Sequence, residues 1–322
     1  MKNTVLLPKA LPYIVFNDLP ISLKKLQKTH LFQSVDADFI NKIGPEIQKV
    51  LSLYFKDVRL VESADIQFCL QSFVQQSQLP VLSMSPLLFG ESVDNISFSR
   101  CCAPPSAEDN NIFRYIGRRP RYQDAPSYQD MLSVFKSQYA GQRVNIIDDI
   151  VFSGESMIGI IDAFTSCGII VDTVCACVIL DRAYQALSAY DIKIVYQNKY
   201  DSVTDVVCSR DFIFGIPDGG VNYLNNDGSI SFCTYIEPFG DVRKWASIQD
   251  THARHFSHQM LNLSYQFWTM MEQNNNRTYS LADLQKKPTF WPVGTDNIAN
   301  GLLSIMAEFN SMDKVLHAEE SP

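Results

Sequence analysis

Residues 144–156 read Val-Asn-Ile-Ile-Asp-Asp-Ile-Val-Phe-Ser-Gly-Glu-Ser. Val144 to Ile147 form a short apolar run with β-branched residues, the pattern of a buried strand. Two adjacent carboxylates, Asp148 and Asp149, stand where that strand should end, and Ser153, Gly154 and Ser156 make a small, hydroxyl-rich turn. Met157, Ile160, Ile161 and Phe164 then recur at helical spacing up to Gly168. A strand, a turn of small residues and a helix N-terminus make an anion site, because the turn amides converge and the helix end carries partial positive charge. The hydroxyls at 153 and 156 can add hydrogen bonds to a phosphate.

The paired aspartates qualify what kind of phosphate is expected. Two carboxylates repel a bare phosphate but accept hydrogen bonds well from vicinal hydroxyls, so the stretch suits a ribose 5-phosphate group, with phosphate on the turn and the ribose diol on Asp148 and Asp149. The ordinary alternative is a strand end followed by a serine helix cap. In register, Asp148, Asp149, Ser153, Gly154 and Ser156 fill a pattern that resembles the phosphoribosyl pyrophosphate (PRPP) loop of type I phosphoribosyltransferases. The match covers about a dozen residues and has the usual false-positive risk of a short motif. Phe152 stands where that family often has a small or polar residue. Glu155 sits inside the turn, where many members have a small or neutral one.

The resemblance implies an α/β fold with a central, mainly parallel sheet and helices on both faces, plus a mixed hairpin and helical C-terminal extension. It implies a ligand-binding set of Asp148, Asp149, Val151, Phe152, Ser153, Gly154, Glu155 and Ser156, with Mg2+ arriving with PRPP and no protein metal ligand assigned. The division expected is a helical extension over 1–50, a core over 51–215 and a hood-like hairpin with helices over 216–322. The activity implied is transfer of phosphoribose to an acceptor base with release of diphosphate. The competing readings are a non-catalytic PRPP or nucleotide sensor, or a defence-system effector, and a hydrolase with an Asp-Asp metal site. No residue stands out as general base, so the catalytic set is unknown.

Composition narrows the partners. The chain has 322 residues, 46% of them hydrophobic, enough to bury a full core. A net charge of −8 argues against nucleic acid as a bulk-charge partner. No apolar run approaches the length of a membrane span, and the N-terminal run Val5–Leu7 is broken by Pro8. Eight cysteines in a chain this long, with no Cys-x-x-Cys pair, read as thiols of a reduced, cytoplasmic protein. His252, His255 and His258 share a helical face but lack the further ligands of a structural zinc site.

Along the chain, residues 1–30 read as irregular. Helices are expected over about 37–55, capped by Asp36, and over 64–76, with strands at 58–61 and from Pro80. Residues 99–130 hold an acidic pair, Glu108-Asp109, then Gly117-Arg118-Arg119-Pro120-Arg121, which predicts an exposed, mobile loop. Arg118, Arg119 and Arg121 are candidates for diphosphate contact, since guanidinium forks match phosphate oxygens. A solvated basic loop is the plainer alternative. Beyond the key stretch, strands at 169–180 and 192–196 flank a short helix, which implies parallel pairing with crossovers. Asn225-Asn226-Asp227-Gly228 between apolar runs predicts a hairpin. The aromatic loop 235–241 is either part of a hood or buried core. Phe256, Met260, Leu263, Phe267 and Met270 predict a helix whose stripe is core or a subunit contact, which leaves a homodimer open. Two further helical pieces follow at 281–284 and 298–309, with a mobile tail after Asp313.

Overall fold

The computed structural model describes residues 10–26, 34–85, 93–96, 98–106, 111–121 and 125–319. Val5–Leu7, His30 and the Glu108–Asp109 pair lie outside the described residues. The first part of the chain forms β1 (Tyr13–Phe16), α1 (Leu19–Leu26), α2 (Ala37–Leu51), β2 (Val58–Val61), α3 (Ser63–Gln76), β3 (Val81–Ser83), β4 (Asp94–Asn95), β5 (Phe98–Ala103) and β6 (Arg114–Pro120). The middle forms α4 (Tyr128–Tyr139), β7 (Arg143–Val151), α5 (Glu155–Ser166), β8 (Ile170–Leu180), α6 (Asp181–Leu187), β9 (Lys193–Tyr200) and β10 (Asp205–Cys208). The last third forms β11 (Val221–Leu224), β12 (Ile230–Cys233), α7 (Val242–Trp245), α8 (Asp250–Asn275) and α9 (Ile298–Glu319).

The central sheet has the order β4-β3-β7-β8-β9, and every pairing in it is parallel. Its inner strands read as near-continuous apolar runs because both faces are covered. Ile146, Val174 and Ala176 pack with Phe135 of α4 and Ile160 and Phe164 of α5, while Ile147, Cys175 and Cys177 pack with Ile66 and Leu70 of α3 on the other face. Helices on both faces of a parallel sheet make this an α/β fold. β7 is longer than the apolar run predicts: it runs through both aspartates to Val151, because Asp148 and Ile150 keep their register with Ala176 and Val178 of β8.

Two smaller sheets complete the frame. β1 lies between β10 and β2, parallel to both. β1 falls within the segment read as irregular: Pro12 and Pro20 bracket only four strand residues, all fully buried. A four-stranded sheet has the order β12-β11-β5-β6. Its β11–β12 hairpin turns at Asn225–Gly228, as the turn residues predict.

Residues 98–103 and 114–120 correct the mobile-loop expectation. They form the antiparallel pair β5–β6, with a register shift between Arg100 and Cys102. Gly117 takes φ 90° near that shift, and Pro120 ends the edge strand. The Gly and Pro that suggest a loop therefore mark a bulge and a strand end, both of which tolerate them. Two further expectations change. Leu281–Asp283 is a single 3-10 turn, and α9 continues to Glu319, with no Pro or Gly between Gly301 and Glu319 to stop it. Pro45 is accommodated inside α2. The α8 stripe residues Phe256, Met260, Phe267 and Met270 are core, and Asn276 ends that helix in the left-handed conformation. No helix among the described residues is long and apolar enough to cross a membrane.

Candidate ligand site at the carboxyl ends of two sheets

In parallel sheets, ligands bind beyond the carboxyl ends of the strands. Here the end of β7 and residues of β10 border one polar cavity of about 430 Å³, roofed by β5 and β6. All eight residues of the predicted loop set line it.

At the end of β7 both aspartates turn back on the chain. Asp148 Oδ1 accepts from the Asp149 amide at 3.0 Å, and Asp149 Oδ1 accepts from the Ile150 amide at 2.9 Å. Asp149 is only 9% exposed. Burial, then the neighbouring Asp149 carboxylate, pushes the Asp148 carboxyl well above its ordinary value, while Arg118 opposes the shift.

The turn is built around Gly154, which caps α5 at φ 83°. A side chain there would be strained by the backbone, and its Cβ would lie 3.4 Å from the Ala183 Cα, so the turn also packs against α6. Arg182 explains how Phe152 is tolerated: its Nε donates to the Phe152 carbonyl at 3.0 Å and its guanidinium lies 3.9 Å from the ring centroid. Glu155 is exposed. Ser153 Oγ accepts weakly from the Glu155 amide, at 3.4 Å. The first turn of α5 leaves amides without intrahelical acceptors, the ordinary condition of a helix start.

The three arginines part company. Arg118 donates from Nε to Ser156 Oγ at 2.8 Å, joining the roof to the turn. Arg121 is buried beside Asp218 at 3.3 Å and also lines the cavity. Arg119 is exposed, donates to the Arg118 carbonyl and is not among the cavity-lining residues.

The sequence reading did not single out Arg210, which lines the opposite wall, or its ion-pair partner Asp18, which does not line the cavity itself. Asp18, two residues past β1, is buried and pairs with Arg210, two residues past β10. Burial, opposed by Arg210, pushes Asp18 up to about 6. Oxygens of Asp18 and Asp149 and the Cys208 sulfur lie within 4.8 Å of one another. That mixed set suits a hard cation poorly, since Asp18 already holds Arg210 and burial pushes the Cys208 thiol well up. The signal for Asp18 was present, as an apolar run leading to an acid. For Arg210 nothing local pointed to a site. His255 has a plainer role, bonded through Nδ1 to the Tyr54 hydroxyl at 2.6 Å.

Asp205, at the start of β10, is also in the cavity wall, and burial pushes it up to about 6 despite hydrogen bonds from Ser247 and the Val206 amide. The folded state therefore holds its proton more tightly than the unfolded chain. That contribution is fully present below about pH 4 and is lost as pH rises through about 6. Asp205→Asn should accordingly stabilise the protein by about 1–3 kcal/mol at about pH 8 and leave it nearly unchanged at about pH 4. Melting curves at the two pH values check this, and a constant gap between variant and wild type would contradict it.

No family model matches the chain, and no curated protein matches it. Solved structures that match include phosphoribosyltransferases. An adenine phosphoribosyltransferase from Thermoanaerobacter pseudethanolicus is 14% identical with a TM-score of 0.27, over 42% of this chain and 79% of that one. An orotate phosphoribosyltransferase from Mycobacterium tuberculosis, solved with PRPP, is 14% identical with a TM-score of 0.25, over 42% of this chain and 70% of that one. The orotate phosphoribosyltransferase of Aeropyrum pernix is 16% identical with a TM-score of 0.25, over 42% and 70%. The overlap covers less than half of this chain, and at these TM-scores it decides nothing about the site.

Proposed function

We propose that the cavity binds a ribose 5-phosphate group, carried by Mg–PRPP or a nucleotide, and that the protein transfers phosphoribose to an acceptor base with release of diphosphate. One observation carries the reading: the Asp148–Asp149 end of β7, the Gly154 turn and Arg118 all open on one cavity, with Arg118 bonded to the turn. The phosphate lies on the turn amides and the start of α5, where the helix dipole favours it. The ribose hydroxyls donate to the carboxylates of the aspartate pair, which fixes C1 relative to both reactants. In the transfer, the bond from C1 to the diphosphate oxygen breaks and a bond from C1 to the acceptor nitrogen forms. Negative charge grows on the diphosphate, and fixed guanidinium groups stabilise it without reorganising. Arg118 and Arg121 serve this role and Arg119 does not.

The resemblance implies Mg2+. A cation of this kind takes one or two carboxylates and completes its shell with substrate oxygens and water. The donor set fits that use, with Asp148 and Asp149 as the carboxylates that would hold it, and it would neutralise diphosphate charge.

A specific observation favours a second reading, that of a non-catalytic sensor or defence-system effector: Arg118 is set in a strand rather than in a loop able to close. The two readings separate on one assay. With Mg–PRPP and a panel of nucleobases, an enzyme releases diphosphate only when an acceptor is present. Binding without release supports the sensor, and neither binding nor release rejects both.

Within the arginine set, Arg118→Gln should weaken PRPP roughly tenfold to a hundredfold more than it weakens ribose 5-phosphate, the size of a charge-assisted hydrogen bond. Arg119→Gln should change neither by more than about twofold, as expected of a surface charge. Calorimetric titration of each variant measures both. Equal losses for the two ligands in Arg118→Gln would remove diphosphate recognition from β6.

A further inference from the structure

Three of the cysteines meet where α3 covers β8. Cys175 and Cys177 are two residues apart on β8, so their side chains share one face of the strand. Both are fully buried in the cluster that Ile66 and Leu70 of α3 close. Cys69, also on α3, is half-buried against the same cluster. Its Sγ lies 4.0 Å from the carbonyl oxygen of Ala176, the residue between the two strand thiols. From there it is within hydrogen-bonding reach of both. None of the three is among the described residues that line the cavity.

The three thiols are not equivalent. Hydrogen bonding with Cys175, then with Cys177, pulls the Cys69 thiol well below its ordinary value, against its own burial. The same bonding to Cys69, together with burial, pushes both strand thiols up. The thiolate is the reactive form of cysteine, and a small reagent must be able to reach it. Cys69 meets both conditions, since it is half-buried while Cys175 and Cys177 are sealed in. Of the two buried neighbours, Cys177 is the poorer partner. Its S–H donates to Gln197 Oε1 at 3.3 Å, and the Asp149 and Asp65 charges further disfavour its thiolate. At Cys175, Cys69 and burial account for the shift.

We propose that Cys69 and Cys175 form a redox-active pair that takes a hydroperoxide as its oxidant. The Cys69 thiolate attacks one peroxide oxygen, the O–O bond breaks, and the departing oxygen takes a proton and leaves as alcohol or water. Cys69 is then a sulfenic acid. The Cys175 thiol gives up its proton and attacks the Cys69 sulfur, and the expelled hydroxide takes that proton and leaves as water. Two thiols have lost two electrons to form one disulfide, and the peroxide has been reduced by the same two electrons. The disulfide ties α3 to β8 in the layer just before the acidic strand end, because Cys175 stands in register with Ile147 and Ala176 with Asp148.

The test treats the reduced full chain with a small excess of hydrogen peroxide at about pH 7, alkylates the remaining thiols and maps the peptides by mass spectrometry. The expected result is a Cys69–Cys175 linked peptide, with both thiols lost to alkylation and recovered with dithiothreitol. Cys175→Ala should stop the reaction at the Cys69 sulfenic acid, which dimedone traps, and Cys69→Ser should abolish the linked peptide. A measurement on the wild type stands in if either variant does not fold. Between about pH 6 and 7.5, the rate at which iodoacetamide alkylates Cys69 should change by less than about twofold, whereas that of free N-acetylcysteine should rise more than about tenfold, following its thiolate fraction. No linked peptide, a linkage of Cys69 to Cys177 instead, or a Cys69 alkylation rate that rises as steeply as that of N-acetylcysteine overturns the assignment.

Discussion

Mg–PRPP at a hundredfold excess over its dissociation constant should raise the melting temperature of the wild-type protein by about 5–10 °C, and Asp149→Asn should lose most of that rise. A ligand that binds only the native state at this excess stabilises it by about 2.7 kcal/mol. A chain of this size class converts each kcal/mol into about 2–4 °C. Asp149 is the aspartate expected to matter most, since it is nearly buried, sits at the end of the central strand and faces the cavity. Asparagine keeps an oxygen for the Ile150 amide that Asp149 now serves, so the strand end survives the change. What it loses is the charge that strengthens hydrogen bonds from the ribose hydroxyls, about 1.5–3 kcal/mol for each bond. Ser153→Ala should act more weakly, because the turn amides remain. Thermal melts of the three proteins with and without ligand measure this directly. Equal shifts in wild type and Asp149→Asn would show that the aspartate pair does not hold the ribose.

Arg210→Met should destabilise the unliganded protein by about 3–5 kcal/mol, the cost of leaving one member of a buried ion pair alone. Arg210 pairs with Asp18 and also donates to the Asp218 carbonyl at 3.1 Å. Asp211 and Asp149 add to the negative field around it. Removing the guanidinium strands several carboxylates in a poorly solvated wall. A double-mutant cycle isolates the pair: Arg210→Met combined with Asp18→Asn should recover much of the loss, because the stranded charge is removed with its partner. Additive losses in denaturant titrations would mean that Arg210 acts through packing instead. The same cycle bears on the ligand site, since Asp18 lies against Asp149.

In the arginine stretch, local reading picked out two residues that reach the cavity and misread the backbone that carries them. Three arginines among Gly and Pro carry the right charge for a phosphate-bearing ligand, and two of them line the cavity. Their setting in an edge strand was not legible, because strand pairing joins Arg118 to Arg100 across a segment whose composition reads as a turn. The aromatic run 235–241 had the opposite outcome. Tyr235 and Phe239 are fully packed core residues, as the plainer of its two readings held.

What the sequence determined by itself is the contiguous part of the site. Val144 to Ser156 encode a strand, an acidic strand end, a turn that needs Gly154 and a helix start, and each depends on residues within one or two turns of chain. The helices on both faces of the central sheet were likewise legible from their spacing. Tertiary structure decided the far wall and the roof. Asp18 and Arg210 are 192 residues apart, and Asp18 meets Asp149 only because β1 pairs with β10 so that the ends of two separate sheets face each other. Arg100 acquires its position from the register of β5 against β6. No periodicity or motif encodes such pairings, because they arise from burial of apolar faces shared by distant segments, and that burial selects partners only when the whole chain is packed.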